Sequence, residues 1–307
     1  MMLLTLFIIM TLLFFMIRLM PGSPFDDPEY SPEFVEMLEK KHHLHEPIPV
    51  QYYYFLRDII VDGYWGVSLK IEPMMPVWKV LTHRIPVTLQ INIFSILISL
   101  PLGLIAGTLA ALNKSRMPDH LISFMVVIFI SVPSFVVASL LQYFLGFKTD
   151  AFKIIYDSTG TFWQRMHSLI LPIFALAFHP IATVCRYLRG ELIDNISSEY
   201  LLLARTKGLS KAQSIVRHAF RNSMVPLMNV IVPMFTHIMG GSLVVEKIFA
   251  VPGVGGLMTK SINSNDHWLT MAVLMFYAVI NLLTVLITDI SYGIIDPRIR
   301  LAGGKSE

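Results

Sequence analysis

Two patterns in the sequence resemble a nucleotide-binding or a metal-binding site, and both are incomplete. Residues 255–261 resemble a phosphate-binding loop, but Thr259 stands where that loop requires Gly, and no strand precedes it. His179 and His237 have no carboxylate at ligand spacing, so hydrogen bonds between helices are the commoner role and lining a transport pathway is the alternative. No Ser/His/Asp set or carboxylate pair has a spacing that would suit catalysis. We therefore predict no catalytic residue, no cofactor site and no metal site in this chain.

Two carboxylates lie at the ends of long apolar segments. Asp289 ends one segment and Glu246 follows another. A charge within an apolar segment is a functional candidate, yet Asp289 can also form a structural ion pair with Arg186 or Arg298, which we favour. Glu246 either closes an outer gate or only marks the membrane interface. Both are retained as possible gate or structural charges.

A polar segment over residues 186–221 has the clearest local pattern in the chain. Tyr200, Leu203, Ala204 and Lys207 recur at the spacing of one helix face, and Gly208 fits the left-handed position that ends a helix. Residues 210–213 read as a capping box that opens a second helix. We therefore expect two helices joined by a sharp bend, the first with an exposed apolar stripe that needs a partner surface or a lipid headgroup layer.

The elements around this segment are unusually apolar. Only 15% of the 307 residues are charged, against about 25% in soluble domains. Six segments contain no Asp, Glu, Lys or Arg, and they are residues 1–17, 87–112, 120–147, 166–185, 222–245 and 267–288. A bilayer-spanning helix needs about 20 apolar residues. The pattern predicts an all-α polytopic membrane protein with six transmembrane helices and excludes a soluble enzyme.

The distribution of Lys and Arg indicates the orientation. Lys and Arg are more frequent in the loops after the second and fourth apolar segments and in the tail than in the other short loops. This places those parts and both termini in the cytoplasm. The predicted organisation is a first transmembrane helix at 1–20, an extracytoplasmic segment with a short helix at 21–86, a five-helix core at 87–295 that includes the loop 186–221, and a cytoplasmic tail at 296–307.

The extracytoplasmic segment is too long to be a simple turn. Ser31 followed by Pro32 reads as a helix N-cap and first position, so a helix over Pro32–Lys41 is expected. The segment either caps the outer end of the helix bundle or acts as a scoop that helps to dock an external partner. These two interpretations are compatible, and the cap is favoured.

The loop 186–221 resembles the cytoplasmic "EAA" loop of ABC importer membrane subunits, in the variant found in the oligopeptide/dipeptide/nickel importer family. The matching residues are Tyr200, Ala204, Arg205, Lys207, Gly208, Leu209, Ser210, His218, Ala219, Arg221, Asn222 and Pro226. Thr206 departs from the Ala that is usual there. Further motifs of the B-type permease subunit follow in order at residues 21–24, 47–52, 66–68, 84–89, 131–135, 246–255 and 296–300.

The resemblance implies a type I ABC importer permease fold with a cytoplasmic coupling helix. Such a subunit forms the pore with a homologous second permease, while two cytoplasmic ATPase subunits bind ATP and Mg²⁺ and an extracytoplasmic binding protein delivers the substrate. The residues expected to dock on an ATPase are Tyr200, Leu203, Ala204, Arg205, Lys207, Gly208 and Leu209. The implied location is the bacterial inner membrane, and the implied substrates are peptides. Nickel or metal chelates are the alternative.

Two other classes of protein remain as competitors. A secondary transporter driven by an ion gradient predicts more buried charges and repeat symmetry, and neither is visible in the sequence. An intramembrane enzyme needs a catalytic set within the apolar segments. The basic residues Arg205 and Lys207 have a second interpretation as plain topology signals.

Overall fold

The structure is a computed structural model that describes residues 1–26, 30–236 and 243–295. The described chain is almost entirely helical. Its α-helices are α1 Met2–Arg18, α2 Pro32–Lys41, α3 Ile48–Asp62, α4 Val77–Leu112, α5 Met117–Ser131, α6 Ser134–Leu141, α7 Phe162–Ser168, α8 Ile170–Ile196, α9 Glu199–Thr206, α10 Lys211–Ser214, α11 Arg221–Thr236, α12 Leu243–Ile248, α13 Val254–Asn263 and α14 His267–Ile295. Two π-helices, π1 Gln142–Phe147 and π2 Ile215–Phe220, continue α6 and α10.

Three of the described helices are long and apolar enough to cross a membrane, and they are α4, α8 and α14. A fourth candidate consists of α5 followed by the continuous helix formed by α6 and π1, and the chain bends by 102° between them. The helix α1 is apolar but has only 17 residues. The described helices therefore supply three or four of the six predicted spans, and residues 237–242 of the fifth predicted span lie outside the described residues.

The apolar segment 120–147, predicted as a single span, is divided into two helices. The break falls at Val132, whose backbone is extended at φ −86° and ψ 121°. Val132 precedes Pro133, and the proline ring disfavours the helical conformation of the residue before it. Pro133 then acts as the N-cap of α6.

The chain divides into two compact units, which are described separately. Unit 1 comprises Met1–Thr88 and Pro252–Leu282. Its core joins Phe14 and Ile17 of α1 to Met271 and Met275 of α14, with part of α3 packed against them. The predicted helix Pro32–Lys41 is confirmed as α2, and the Ser31 hydroxyl accepts a hydrogen bond from the Phe34 N–H at 3.3 Å.

Unit 2 comprises Leu89–Val251 and Leu283–Glu307. Its centre is α8, which packs against α5, α6 and α11. Two glycines let α4 approach α8 closely, because a Cβ on Gly103 would lie 2.8 Å from the Val184 Cβ, and one on Gly107 would lie 2.8 Å from the Cys185 carbonyl oxygen. Small residues at four-residue spacing commonly permit such close helix contacts in membranes.

Candidate functional site

The candidate site is the helix α9 with the bend that follows it. Gly208 has φ +95°, a left-handed conformation that residues with a Cβ rarely adopt. Its N–H donates to the Arg205 carbonyl at 3.0 Å, and the Leu209 N–H donates to the Ala204 carbonyl at 3.3 Å. These two bonds are the Schellman arrangement, which satisfies the last carbonyls of a helix. The position of Gly208 just beyond the helix end, predicted from the sequence, is confirmed.

The helix that follows the bend begins with a reciprocal cap. The Gln213 N–H donates to the Ser210 hydroxyl at 3.2 Å, and the Ser210 N–H donates to the Gln213 side-chain oxygen at 3.1 Å. This is the capping box expected from residues 210–213. The bend is therefore fixed on both sides, by a C-terminal motif on α9 and an N-terminal motif on α10.

Most of the residues predicted to dock on a partner are open to solvent in this chain. Tyr200, Leu203, Arg205, Lys207 and Gly208 are exposed. Ala204 and Leu209 are half-buried.

In contrast to these exposed residues, one buried leucine holds α9 against unit 2. Leu201 is only 3% exposed and packs in the unit 2 core with Ile215 and Ala219. Leu202 and Leu203 are 62% and 56% exposed, so α9 presents two neighbouring leucines outward. The sequence prediction missed Leu202, because it lies off the helix face defined by Tyr200 and Leu203.

One amide side chain links α9 to two neighbouring helices. The Asn195 side-chain N–H₂, in α8, donates to the Ser223 hydroxyl of α11 at 3.0 Å and to the Glu191 carbonyl at 2.8 Å. The Tyr200 hydroxyl of α9 donates to the Asn195 side-chain oxygen. Ser223 is in turn held by the Ala219 carbonyl at 2.9 Å. A displacement of α9 is thus coupled by hydrogen bonds to both α8 and α11.

A buried ion pair joins α5 to α8 in the same unit. Arg189 donates to the two carboxylate oxygens of Asp119 at 2.5 and 2.7 Å. The Asp119 side chain is 3% exposed and also accepts the Ser115 N–H at 2.8 Å. Breaking a pair of this kind leaves one buried charge uncompensated. It therefore fixes the start of α5 on α8.

The two carboxylates singled out in the sequence differ in burial. Glu246 in α12 is 1% exposed, so it lies within the packing of unit 2 and not on an exposed surface, and its role as a gate stays a prediction. Asp289 is exposed and forms no ion pair with any residue that the structure describes. Of its two predicted partners, Arg186 does not pair with it, and the Arg186 guanidinium lies over the Tyr187 ring at 5.4 Å; the structural ion pair of Asp289 therefore stays a prediction. Arg298, the other proposed partner, lies outside the described residues.

The two histidines give no site either. His179 is exposed, and within the described ranges its side chain makes no hydrogen bond, so the expected bond between helices is not found there. His237 lies outside the described residues. The Gly-rich segment that approaches a phosphate-binding loop forms the helix α13 without a preceding strand.

A second polar junction lies in unit 1, at the start of α14. The carboxylate of Asp266, fully buried, accepts hydrogen bonds from the Ser68 hydroxyl at 2.6 Å and from the Leu69 and Lys70 N–H groups at 3.0 and 3.1 Å. It also accepts the Leu269 N–H at 3.4 Å. Asp266 therefore fastens the loop 68–70 to the first turn of α14.

Comparison with known proteins places this architecture among transport proteins. The family described as "Binding-protein-dependent transport system inner membrane component" matches residues 78–301, which include α9 and its bend. The dipeptide transport system permease protein DppB of Lactococcus lactis is 40% identical over 299 residues, covering 97% of this chain and 96% of that protein.

Other relatives are similar over the same length. The corresponding dipeptide permease protein of Bacillus subtilis is 34% identical over 97% of this chain and 94% of its own length. The oligopeptide transport system permease protein OppB of Escherichia coli K12 is 32% identical over 96% of this chain and 95% of its own length.

A solved structure has a related fold. A chain of the MetNI methionine ABC transporter, in an inward-facing conformation, superposes with a TM-score of 0.55 and 16% identity. The superposition covers 73% of this chain and 98% of that one. The fold of this chain is therefore that of an ABC importer permease.

Proposed function

Because this chain belongs to the family of binding-protein-dependent transport system inner membrane components, we propose that it is the pore-forming subunit of an ATP-driven importer of peptides. Support for the cargo comes from the relatives, which are named as dipeptide and oligopeptide permeases and match nearly the whole chain at 32–40% identity. The importer is an inner membrane protein with several spans.

We propose that the chain crosses the membrane six times with both termini in the cytoplasm. The spans are α1, α4, the bent pair of α5 with α6, α8, α11 and α14. The excess of Lys and Arg in the loop 186–221 supports the cytoplasmic placement of α9. With this orientation, residues 21–86 lie outside.

The proposed partners follow from the same assignment. A homologous second permease completes the pore, and an extracytoplasmic binding protein delivers the peptide. Two ATPase subunits dock on the cytoplasmic side and bind ATP and Mg²⁺. ATP hydrolysis is then the work of the partners, and this chain converts their movement into opening and closing of the pore.

We propose α9 as the coupling helix. The observation that carries this assignment is a short helix with two outward leucines whose following bend is locked by caps on both sides. A rigid element of this kind can be moved as one body by a closing ATPase. The hydrogen bonds of Asn195 to Tyr200 and Ser223 provide the route by which that movement reaches α8 and α11.

The experiment is a substitution that strains the bend without adding a steric clash. A Cβ on Gly208 meets nothing within 4 Å, so the cost of Gly208→Val comes from its φ of +95°, about 1–3 kcal/mol. In the assembled transporter, we expect peptide uptake to fall about tenfold or more while ATP hydrolysis continues. Gly208→Asn should keep most uptake, because Asn tolerates the left-handed conformation.

The matched control is Gly190→Val. Gly190 lies in α8, is exposed, and its added Cβ also meets nothing within 4 Å, but it has no positive φ. Uptake in this variant should stay near that of the parent chain. Unchanged uptake in Gly208→Val, with normal membrane insertion, would remove the coupling assignment.

A further inference from the structure

Unit 1 contains a cavity whose size suits a small organic ligand. Its volume is about 570 Å³, within the range of roughly 300–1,000 Å³ that is typical of ligand pockets. The end of α1, α2, α3, the loop 64–70 and the start of α14 contribute to its walls. Aromatic rings form much of the lining, with Phe25, Trp65 and Trp268 among them.

The aromatic wall is itself tightly organised. The rings of Phe25, His42 and Trp268 contact one another, with centroids 5.1–5.7 Å apart. Burial, and then the charges of Lys41 and Arg18, lower the pKa of His42 below its usual value. His42 is therefore neutral near pH 7, and this part of the wall offers apolar surface.

Arg18 is one of several cations that line the cavity, and it has no anionic partner among the described residues. The Arg18 guanidinium is half-buried and lies 5.3 Å from the Phe14 ring centroid and 5.9 Å from that of Trp268. Throughout the described part of the chain, it has no carboxylate and no hydrogen-bond acceptor. A guanidinium is shaped to bind a carboxylate with two parallel hydrogen bonds.

The same cavity also presents an unused acceptor, and a second one is buried in its wall. The carboxylate of Asp58 lines it and makes no ion pair or hydrogen bond within residues 1–26, 30–236 and 243–295. Gln51 is only 8% exposed, and its side-chain N–H₂ donates to the Leu44 and Glu46 carbonyls at 3.0 and 2.8 Å. Those two bonds fix the amide, and its oxygen is buried with no donor among the described residues. An unpaired buried acceptor is unfavourable, because it has lost its hydrogen bonds to water.

These features describe a ligand with a negative end, a positive end and an apolar body. We propose that the cavity binds a short peptide as a zwitterion, with its carboxylate on Arg18, its ammonium group near Asp58, and its side chains among the aromatic rings. This inference rests on the proposed function as a peptide importer, and it adds a substrate site on the chain itself. A lipid with an ammonium and a phosphate group matches the charges, but its two acyl chains exceed the cavity.

The test is a binding titration of the purified full-length chain in phosphatidylcholine nanodiscs, without partner subunits. The probe is the dipeptide leucyl-phenylalanine, and the signal is the fluorescence of Trp65 and Trp268, which line the cavity. We expect saturable binding. The N-acetylated and the C-amidated dipeptides should each bind about ten- to a hundredfold more weakly, because each loses one charged hydrogen bond.

Two variants connect each end of the peptide to a residue. In Arg18→Gln, the free and the amidated dipeptide should bind with equal affinity, whereas Arg18→Lys should keep part of the difference. In Asp58→Asn, the free and the acetylated dipeptide should become equal. Asp62→Asn is the matched control, because Asp62 lies one turn further along α3, is exposed and is not part of the cavity lining.

Three results would overturn the proposal: no saturable signal, equal binding of blocked and free peptides by the parent chain, or displacement of the peptide by phosphatidylethanolamine. Uptake by the assembled transporter shows whether only the peptide site in the cavity is wrong or the proposed function as a peptide importer is wrong as well. If the transporter imports the dipeptide while the isolated chain does not bind it, only the cavity assignment fails. If no peptide is imported, the proposed function fails as well.

Discussion

The two polar junctions of the molecule differ in the kind of side chain that holds them. In unit 1, the buried carboxylate of Asp266 accepts four hydrogen bonds and fastens the loop 68–70 to α14. In unit 2, the neutral amide of Asn195 links α8, α9 and α11, and its partner Tyr200 is 39% exposed. The first junction cannot be opened without leaving buried donors unpaired, whereas in the second the exposed Tyr200 hydroxyl can exchange its bond to Asn195 for a bond to water.

We refer to the Asp266 junction as the anchor, because it resists rearrangement, and to the Asn195 junction as the joint, because it permits movement. A buried, fully used carboxylate raises the cost of any alternative arrangement, because its charge and its donors all lose their partners together. An exposed tyrosine hydroxyl loses little free energy when it moves, because water replaces its hydrogen bond. The Asp266 junction therefore suits a fixed scaffold, and the Asn195 junction suits an element that must move with a partner.

The largest effect is expected at the anchor. Asp266→Ala leaves the Ser68 hydroxyl and two loop N–H groups without an acceptor, which should lower the free energy of unfolding by about 3–5 kcal/mol. The measurement is thermal unfolding of the chain in detergent. Asp62→Asn, at an exposed carboxylate, is the control and should leave the melting temperature unchanged. A melting temperature for Asp266→Ala equal to that of the parent would show that this junction is not an anchor.

A smaller effect on stability is expected at the joint. Tyr200→Phe removes the hydroxyl that donates to Asn195, which should cost only about 0.5–1.5 kcal/mol. Peptide uptake should fall severalfold while ATP hydrolysis continues, because α9 becomes less firmly linked to α8 and α11. The comparison fails if Tyr200→Phe destabilises the chain as much as Asp266→Ala does.

The smallest effect is a dependence of stability on pH in unit 1. The pKa of His42 is lowered by burial and then by Lys41, Arg18 and His43, with Asp58 acting in the opposite direction. The folded state therefore binds a proton less readily than the unfolded state, whose value is near 6.5. Stability should be intact above that value and should decline as the pH falls through it.

The matching variant is His42→Phe, which keeps the ring contacts with Phe25 and Trp268 and removes the titration. The difference in melting temperature between pH 7.5 and pH 5.5 should be smaller in this variant than in the parent chain. An equal difference would assign the pH dependence to other groups.

Local features of the structure were predictable from the sequence, because neighbouring residues determine them. The cap at Ser31, the left-handed Gly208 and the capping box at Ser210 all follow from side chains that bond to backbone within three or four positions. The outward face of α9 was predictable in part, since helical periodicity identified Tyr200 and Leu203.

Helix limits were less predictable. The helix α4 begins at Val77, well before the first residue of the charge-free segment 87–112. Its first turns contain Lys79 and Arg84, so the absence of charge marks only the later part of the helix. The break before Pro133 follows from proline chemistry, but its angle of 102° is not encoded by any local pattern.

The polar junctions were not predictable at all. Asn195 and Ser223 are 28 positions apart, Asp119 and Arg189 are 70 apart, and Ser68 and Asp266 are 198 apart. Each pair is brought together only by the packing of separate helices. A single sequence holds no periodicity that relates such distant positions.

The most direct test of the central claim is uptake of a labelled dipeptide by proteoliposomes that contain this chain with its permease and ATPase partners and the binding protein. We expect uptake that requires ATP hydrolysis, stops when ATP is removed, and is not restored by an ion gradient. Uptake that continues without ATP, driven by an ion gradient alone, would contradict it.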